Sequence, residues 1–335
     1  MNEHNPSGTR SSLDESLRPI GASSVPQWQN FPIEEEPKNQ QDDQRSTIST
    51  TQLPRRLPQM GLLFPIRDIS WIVAFSFTIG STAFVVNGFF LLLPFIDPET
   101  KFPNETPYAT PASSVLGAFI FLIGGYAGFL EALNLGGEKV TVTNTQSERP
   151  VQIRPLRASI STVQTGDAAD EVQATSLTPL LGDSAFVYLP TMHQLRKTYA
   201  HSLPFHAGWV QLLGTLVFSM ATLTSLPGVL TSSPSLVPVL NLLPATLGGL
   251  LFIIGSVLQT LNAQEKWWIP HAGKGDWQVG FWNVIGSLGF TLAGAMPVLG
   301  TETATYVGTL ADFWGSWAFL IGSVVQLYIV MGYYA

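Results

Sequence analysis

Residues 207–263 read AGWVQLLGTLVFSMATLTSLPGVLTSSPSLVPVLNLLPATLGGLLFIIGSVLQTLNA, and between Ala207 and Ala263 there is no Asp, Glu, Lys or Arg. An uncharged stretch of that length is built for hydrocarbon rather than water. Its two apolar runs, 206–226 and 237–262, are each long enough to cross a core of about 30 Å at 1.5 Å per residue. Pro227 lacks the N–H that would continue the first run's ladder, so the stretch predicts a helical hairpin.

The same pattern recurs on both sides. Apolar runs at 69–93 and 112–134 precede this hairpin, and runs at 277–296 and 306–331 follow it. Pro94 and Pro297 stand where Pro227 does and predict helix stops on the same side of the membrane. The expected fold is all-α: a polytopic membrane bundle of six transmembrane helices, built as three repeated hairpins. Composition agrees, because only 12% of the residues are charged while 45% are hydrophobic, and a soluble domain carries about twice that charged share.

The cations set the expected orientation. A cytosolic N-terminus leaves 15 of the 16 Lys and Arg residues in the tail, the 135–205 loop and the 263–276 loop, with Lys101 alone on the other side. Translocating cations is unfavourable, so both termini are expected in the cytosol. The organisation then reads as a disordered cytosolic tail (1–60), hairpin one (61–134), a disordered cytosolic loop (135–185) and an interfacial amphipathic segment (186–205). Hairpin two (206–262), a short cytosolic loop (263–276) and hairpin three (277–335) complete it. The tail has no cleavable signal peptide, so the first hydrophobic segment is expected to act as an uncleaved anchor. Asn104-Glu105-Thr106 in the first outer loop is a candidate N-glycosylation acceptor, with Pro107 directly after it.

Aligning the helices on a central glycine gives an internal repeat. The glycines are Gly80, Gly124, Gly214, Gly255, Gly286 and Gly322. Odd helices carry Ser or Thr next, then two residues, then Phe, ending at Phe84, Phe218 and Phe290; even helices read GxxxFxIG with Phe121, Phe252 and Phe319. Because neighbouring helices run in opposite directions, all six phenylalanines fall about 5 Å to the outer side of the glycines. The matching inner positions are Phe77, Gly128, Gln211, Gln259, Asn283 and Gln326, four of them amides. A glycine waist, an outer phenylalanine layer and an inner amide layer are therefore expected around a pseudo-threefold axis. Glycines at helix crossings serve close packing, and amides in hydrocarbon serve either as hydrogen-bonded glue or as a ligand site.

Two carboxylates fall within the spans. Glu131, seven residues past Gly124, reads as an interfacial cap or a proton or cation site, and Asp312 as an acid near the outer end of helix six. The five histidines show no metal spacing, and the chain has no cysteine. No metal or cofactor is therefore expected.

The segment Gly280-Phe281-Trp282-Asn283-Val284-Ile285-Gly286, together with FWGSWAFLIGS from Phe313 to Ser323, resembles a group of fungal integral membrane proteins without an assigned activity. These in turn resemble the small YrhK-like two-helix domain. Pro65-Ile66-Arg67-Asp68-Ile69 and Leu130-Glu131-Ala132-Leu133-Asn134 are further echoes, and the likeness covers roughly 62–134 and 188–331. It implies a membrane location and a hairpin fold, but no activity.

Nucleic acid is not an expected partner of a chain with net charge −7 and no basic stripe; the lipid bilayer is. Three function classes remain. An enzyme has no GxSxG elbow, P-loop or metal box to act with. A small-solute transporter or metabolite exporter draws support from the repeat and from a cytosol-facing amide-lined site. A membrane scaffold, binding protein partners through the tail and middle loop, is left in first place by default. Plasma membrane and endomembranes are equally compatible with the pattern.

Overall fold

The computed structural model describes residues 60–135, 158–162, 173–177, 179–230 and 232–332. Six helices in it are long and apolar enough to cross a membrane. They are α1 (Ile69–Ile96), α2 (Thr110–Asn134), α3 (Leu203–Thr224), α4 (Leu243–Asn262), α5 (Gly275–Ala295) and α6 (Glu302–Met331). The chain is thus a multi-pass membrane protein with an all-α bundle. Three of the helix starts are capped by side chains: Asp68 accepts from the Ser70 amide, Ser202 from Phe205 and Thr301 from Ala304, which satisfies amides that open a helix.

One expected stop differs. Pro94 lies inside α1, which runs on to Ile96 before the Asp97 amide closes onto the Leu93 carbonyl. A proline this near a helix end disturbs little beyond its own turn. Pro227 and Pro297 do fall beyond α3 and α5.

The helices form a ring. Each packs against the next in sequence, and α6 closes the circuit against α1. Ring closure buries Trp71 and Ala74 of α1 with Leu327, Val330 and Met331 of α6. Small residues pack where helices meet, and many large aliphatic and aromatic ones face outward: Ser81, Ser256, Ser287 and Ser316 are fully buried, while Ile79, Leu116, Phe119 and Ile254 are exposed. This inversion suits lipid, where close backbone approach rather than a drive away from water brings helices together.

The expected tail lies outside the described residues, as do Tyr333 and Tyr334 and most of the 135–185 loop. Within that loop an antiparallel ribbon pairs Ala158–Thr162 with Gln173–Leu177 in the register Ala158 to Leu177. From Pro179 onward the chain is seated on the bundle. The Leu181 amide donates to the Arg67 carbonyl at 2.9 Å, and Arg67 pairs with Asp183 at 2.9 Å. Asn134 exchanges two hydrogen bonds with Val187, and the Tyr199 hydroxyl donates to the Leu133 carbonyl at 2.9 Å. Burial pushes the Tyr199 phenol up, which keeps it a donor. The segment expected to lie on the interface is therefore also a clasp: Phe186 and Tyr199 are buried, while Leu189 and Met192, the latter opening a short helix Met192–Lys197, face outward.

Candidate functional site: a cavity behind a phenylalanine septum

The end of the bundle where α1, α3 and α5 begin is called proximal, the other distal. Glycine and phenylalanine interlock in each hairpin. A methyl group added to Gly80 would lie 2.5 Å from the Phe121 ring, one on Gly214 2.6 Å from Phe252, and one on Gly286 2.6 Å from Phe319. In the reverse direction Gly117 receives Phe84 and Gly248 receives Phe218. The third hairpin differs, because Gly315 meets the Gly289 backbone directly.

All six phenylalanines join one buried cluster. Those of the odd helices touch pairwise, with centroids 5.9 Å apart for Phe84 and Phe218, 5.2 Å for Phe84 and Phe290 and 5.1 Å for Phe218 and Phe290. Phe121 and Phe252 each reach Phe319, and Phe319 reaches Phe290. Edge-to-face pairs contribute about 0.5–1.5 kcal/mol each beyond burial. The six rings thus meet one another across the interior of the helix ring.

On the proximal side of this septum lies a cavity of about 320 Å³ to which all six helices contribute. Gln211, Gln259, Asn283 and Gln326 all line it, and so does Glu131. Asn283 donates to Gln259 at 3.2 Å. Gln211 and Gln326 have no side-chain hydrogen bond to a described residue, although interhelical bonding is the ordinary use of an amide in a membrane. The Ser70 hydroxyl donates to Glu131 Oε1 across the α1–α2 pair. Glu131 is therefore held from the side and lines the cavity, where a terminal cap was one of the readings. Asn262 and Asp276, both exposed, sit at the mouth.

Three of these residues were not singled out from the sequence. Ser70 precedes Phe77 by seven positions, Asp276 precedes Asn283 by seven, and Asn262 follows Gln259 by three. Such spacings share a helix face, so carrying the repeat one to two turns further toward the proximal end would have found Ser70 and Asn262, whereas Asp276 lies just outside the apolar run 277–296. The Ser or Thr after the central glycine of each odd helix belongs to a layer of small residues that the even helices share: Thr215 packs on Gly125, and the Ser256 and Ser287 hydroxyls are 3.4 Å apart. This layer joins α2 to α3 and α4 to α5.

Asp312 lies deeper along its helix than the apolar run from 306 suggested. α6 begins at Glu302 rather than 306, which carries Asp312 about 15 Å along the helix from its distal end. Its Oδ2 is buried without a hydrogen-bond partner among the described residues. Asp312→Leu is expected to raise the thermal unfolding midpoint in detergent, by the equivalent of about 1–3 kcal/mol, since an unsatisfied buried polar group is removed. A lowered midpoint would mean that the carboxyl is satisfied in the folded protein.

Asn104 is exposed, in the left-handed conformation at φ 68°, and Glu105 beside it is buried with its carboxylate accepting from the Phe102 amide. Trp267 and Trp268 stand exposed in the α4–α5 loop, as interfacial anchors do. Among the described residues no three His, Asp or Glu side chains converge as a metal site would require. Compared with protein-family models, with curated proteins and with solved structures, the chain matches none of them.

Proposed function

We propose that the protein binds a small polar solute in the proximal cavity, as a carrier does in its inward-open state. The observation that carries this reading is the convergence of four amides and Glu131 on one space, with the phenylalanine septum behind it. Side chains serving only as helix glue would pair with one another, whereas Gln211 and Gln326 face the cavity. A volume near 320 Å³ lies at the lower end of the range for small-molecule sites. The septum supports an occluding barrier rather than a constitutive pore.

In this reading the proximal end is cytosolic, as the distribution of Lys and Arg suggests, and Asn104 lies on the opposite side, open to glycosylation. Each hairpin would be one copy of a unit like the YrhK-like domain. The scaffold reading rests on the tail and the middle loop, most of which lie outside the described residues, and the cavity gives it no support.

The absence of native cysteine makes the test direct. Gln211→Cys in reconstituted full-length protein is expected to react with a membrane-impermeant thiol reagent from the side bearing the N-terminus and not from the other. No reaction from either side would show a closed, glued interior, and reaction from both would show an open pore; each result overturns the proposal.

A further inference from the structure

We propose that the clasp docks onto anionic phospholipid, holding a negatively charged headgroup on Arg196 and Lys197 while Leu189 and Met192 enter the adjoining acyl layer. This contact is separate from the cavity and does not depend on a solute binding there.

Depth is the first support. The Tyr199 hydroxyl and the Asn134–Val187 bonds fasten the clasp to Leu133 and Asn134, the last residues of α2, and α3 begins at Leu203. A segment fixed between the ends of two spans lies where hydrocarbon gives way to headgroups. Trp267 and Trp268 stand exposed at the same end of the bundle, as aromatic side chains at that level do.

Charge is the second. The chain carries a net charge of −7, yet from Ser184 to Gln264 it has no Asp or Glu, and its only Lys and Arg residues there are Arg196 and Lys197. Both are exposed, and neither side chain pairs with an acid or makes a hydrogen bond among the described residues.

Shape is the third. A capping box between Thr191 and Gln194 holds the short helix Met192–Lys197, and Leu195 turns toward the buried cluster that contains Ile69, Leu130 and Leu133. Positions four apart share a face, so Met192 lies beside Arg196 and His193 beside Lys197, and these four line one shallow depression. Leu189 is 81% exposed and Met192 77%, so neither is covered by the bundle. Apolar side chains bare at headgroup depth take up acyl chains, and the cations beside them attract anionic headgroups. A soluble phosphate would engage the cations alone, whereas a lipid covers both.

With no native cysteine, Leu189→Cys can carry a single fluorophore in the full-length protein, reconstituted in phosphatidylcholine nanodiscs. Spin-labelled phosphatidylserine is expected to quench it at about one tenth or less of the mole fraction that spin-labelled phosphatidylcholine needs, since each Lys or Arg near an anionic surface favours the contact by about fivefold. A fluorophore at Val298→Cys, exposed at the distal end, should show no such preference. Arg196→Gln with Lys197→Gln should bring the two lipids level, while Arg196→Lys with Lys197→Arg should keep them apart. Both side chains are exposed, so the fold does not depend on them. Equal quenching in the parent, the same preference at 298, or a preference that survives the glutamine variant overturns the proposal. Displacement of the labelled lipid by millimolar glycerophosphoserine or inorganic phosphate overturns it in favour of a soluble anion. Absence of quenching by either lipid overturns it by placing a protein segment over the clasp.

Discussion

With Gln211 and Asn283 both replaced by leucine, the protein is expected to insert and fold yet to lose solute binding and flux. The fold tolerates the change because interhelical amide bonds contribute only about 0.6 kcal/mol on average in a membrane. One such bond is lost, that from Asn283 to Gln259, and Gln211 gives up none. Binding loses far more. A buried polar group left without its partner costs about 1–3 kcal/mol, so removing two partners lowers affinity by on the order of thirtyfold or more. Expression level and unfolding midpoint report the first half of the expectation, and uptake of small polar solutes into proteoliposomes reports the second. A double variant that is as active as the parent would remove the amide layer from the mechanism. One that fails to fold would make the amides structural glue.

Gly289→Val is expected to be the most damaging single change in the bundle. A Cβ at Gly289 would lie 2.6 Å from the Ala311 carbonyl oxygen and 2.6 Å from the Gly315 Cα. Both are backbone atoms of α6, so no side chain can swing aside. Where glycine meets a phenylalanine ring, as at Gly214, the ring has some freedom to tilt; here the whole helix must retreat. Overpacking of cores costs about 1–3 kcal/mol and occasionally more, and a forced backbone separation belongs at or above the top of that range. Because α6 also closes the ring on α1, its displacement should disturb the septum through Phe319. Gly273→Ala, with no atom within 4 Å of its added methyl, is the matched control. Thermal unfolding in detergent checks both, and an unchanged midpoint for Gly289→Val would mean that α5 and α6 are not packed backbone to backbone.

Six spans were legible because hydrocarbon thickness demands a minimum apolar length, and no aqueous fold needs an uncharged run like 207–263. Their ends were less so. α1 passes Pro94 and α6 starts four residues before 306, since helix boundaries depend on caps such as Asp68 and Thr301 as well as on apolarity. The phenylalanine and amide positions could be placed at a common depth from spacing alone, as depth follows from rise per residue. Which face each helix turns to its neighbours could not. α1 is apolar all round, and a helix without a polar face gives no direction to its neighbours. Contact between α6 and α1, and the Ser70–Glu131 bond between α1 and α2, are therefore properties of the assembled ring. Asp276 went unnoticed for another reason. It stands exposed beyond the apolar run, and its part in the cavity mouth appears only once α5 is seen to begin at Gly275.

Closure of α1 by α6 has a bearing on biogenesis. Domains form N-terminal first during synthesis, yet the surface of α1 that holds Trp71 and Ala74 finds its partners Leu327, Val330 and Met331 only once α6 has been made. A nascent chain that has delivered five helices is an open trough whose glycine-lined seams face lipid, and Phe319 has not yet arrived to complete the barrier. Premature termination anywhere before Glu302 would thus leave a leaky, unsealed product rather than a smaller working one. The adjacency of the first and last spans also means that a circular permutant, opened at a loop between hairpins, would preserve every helix contact in the ring.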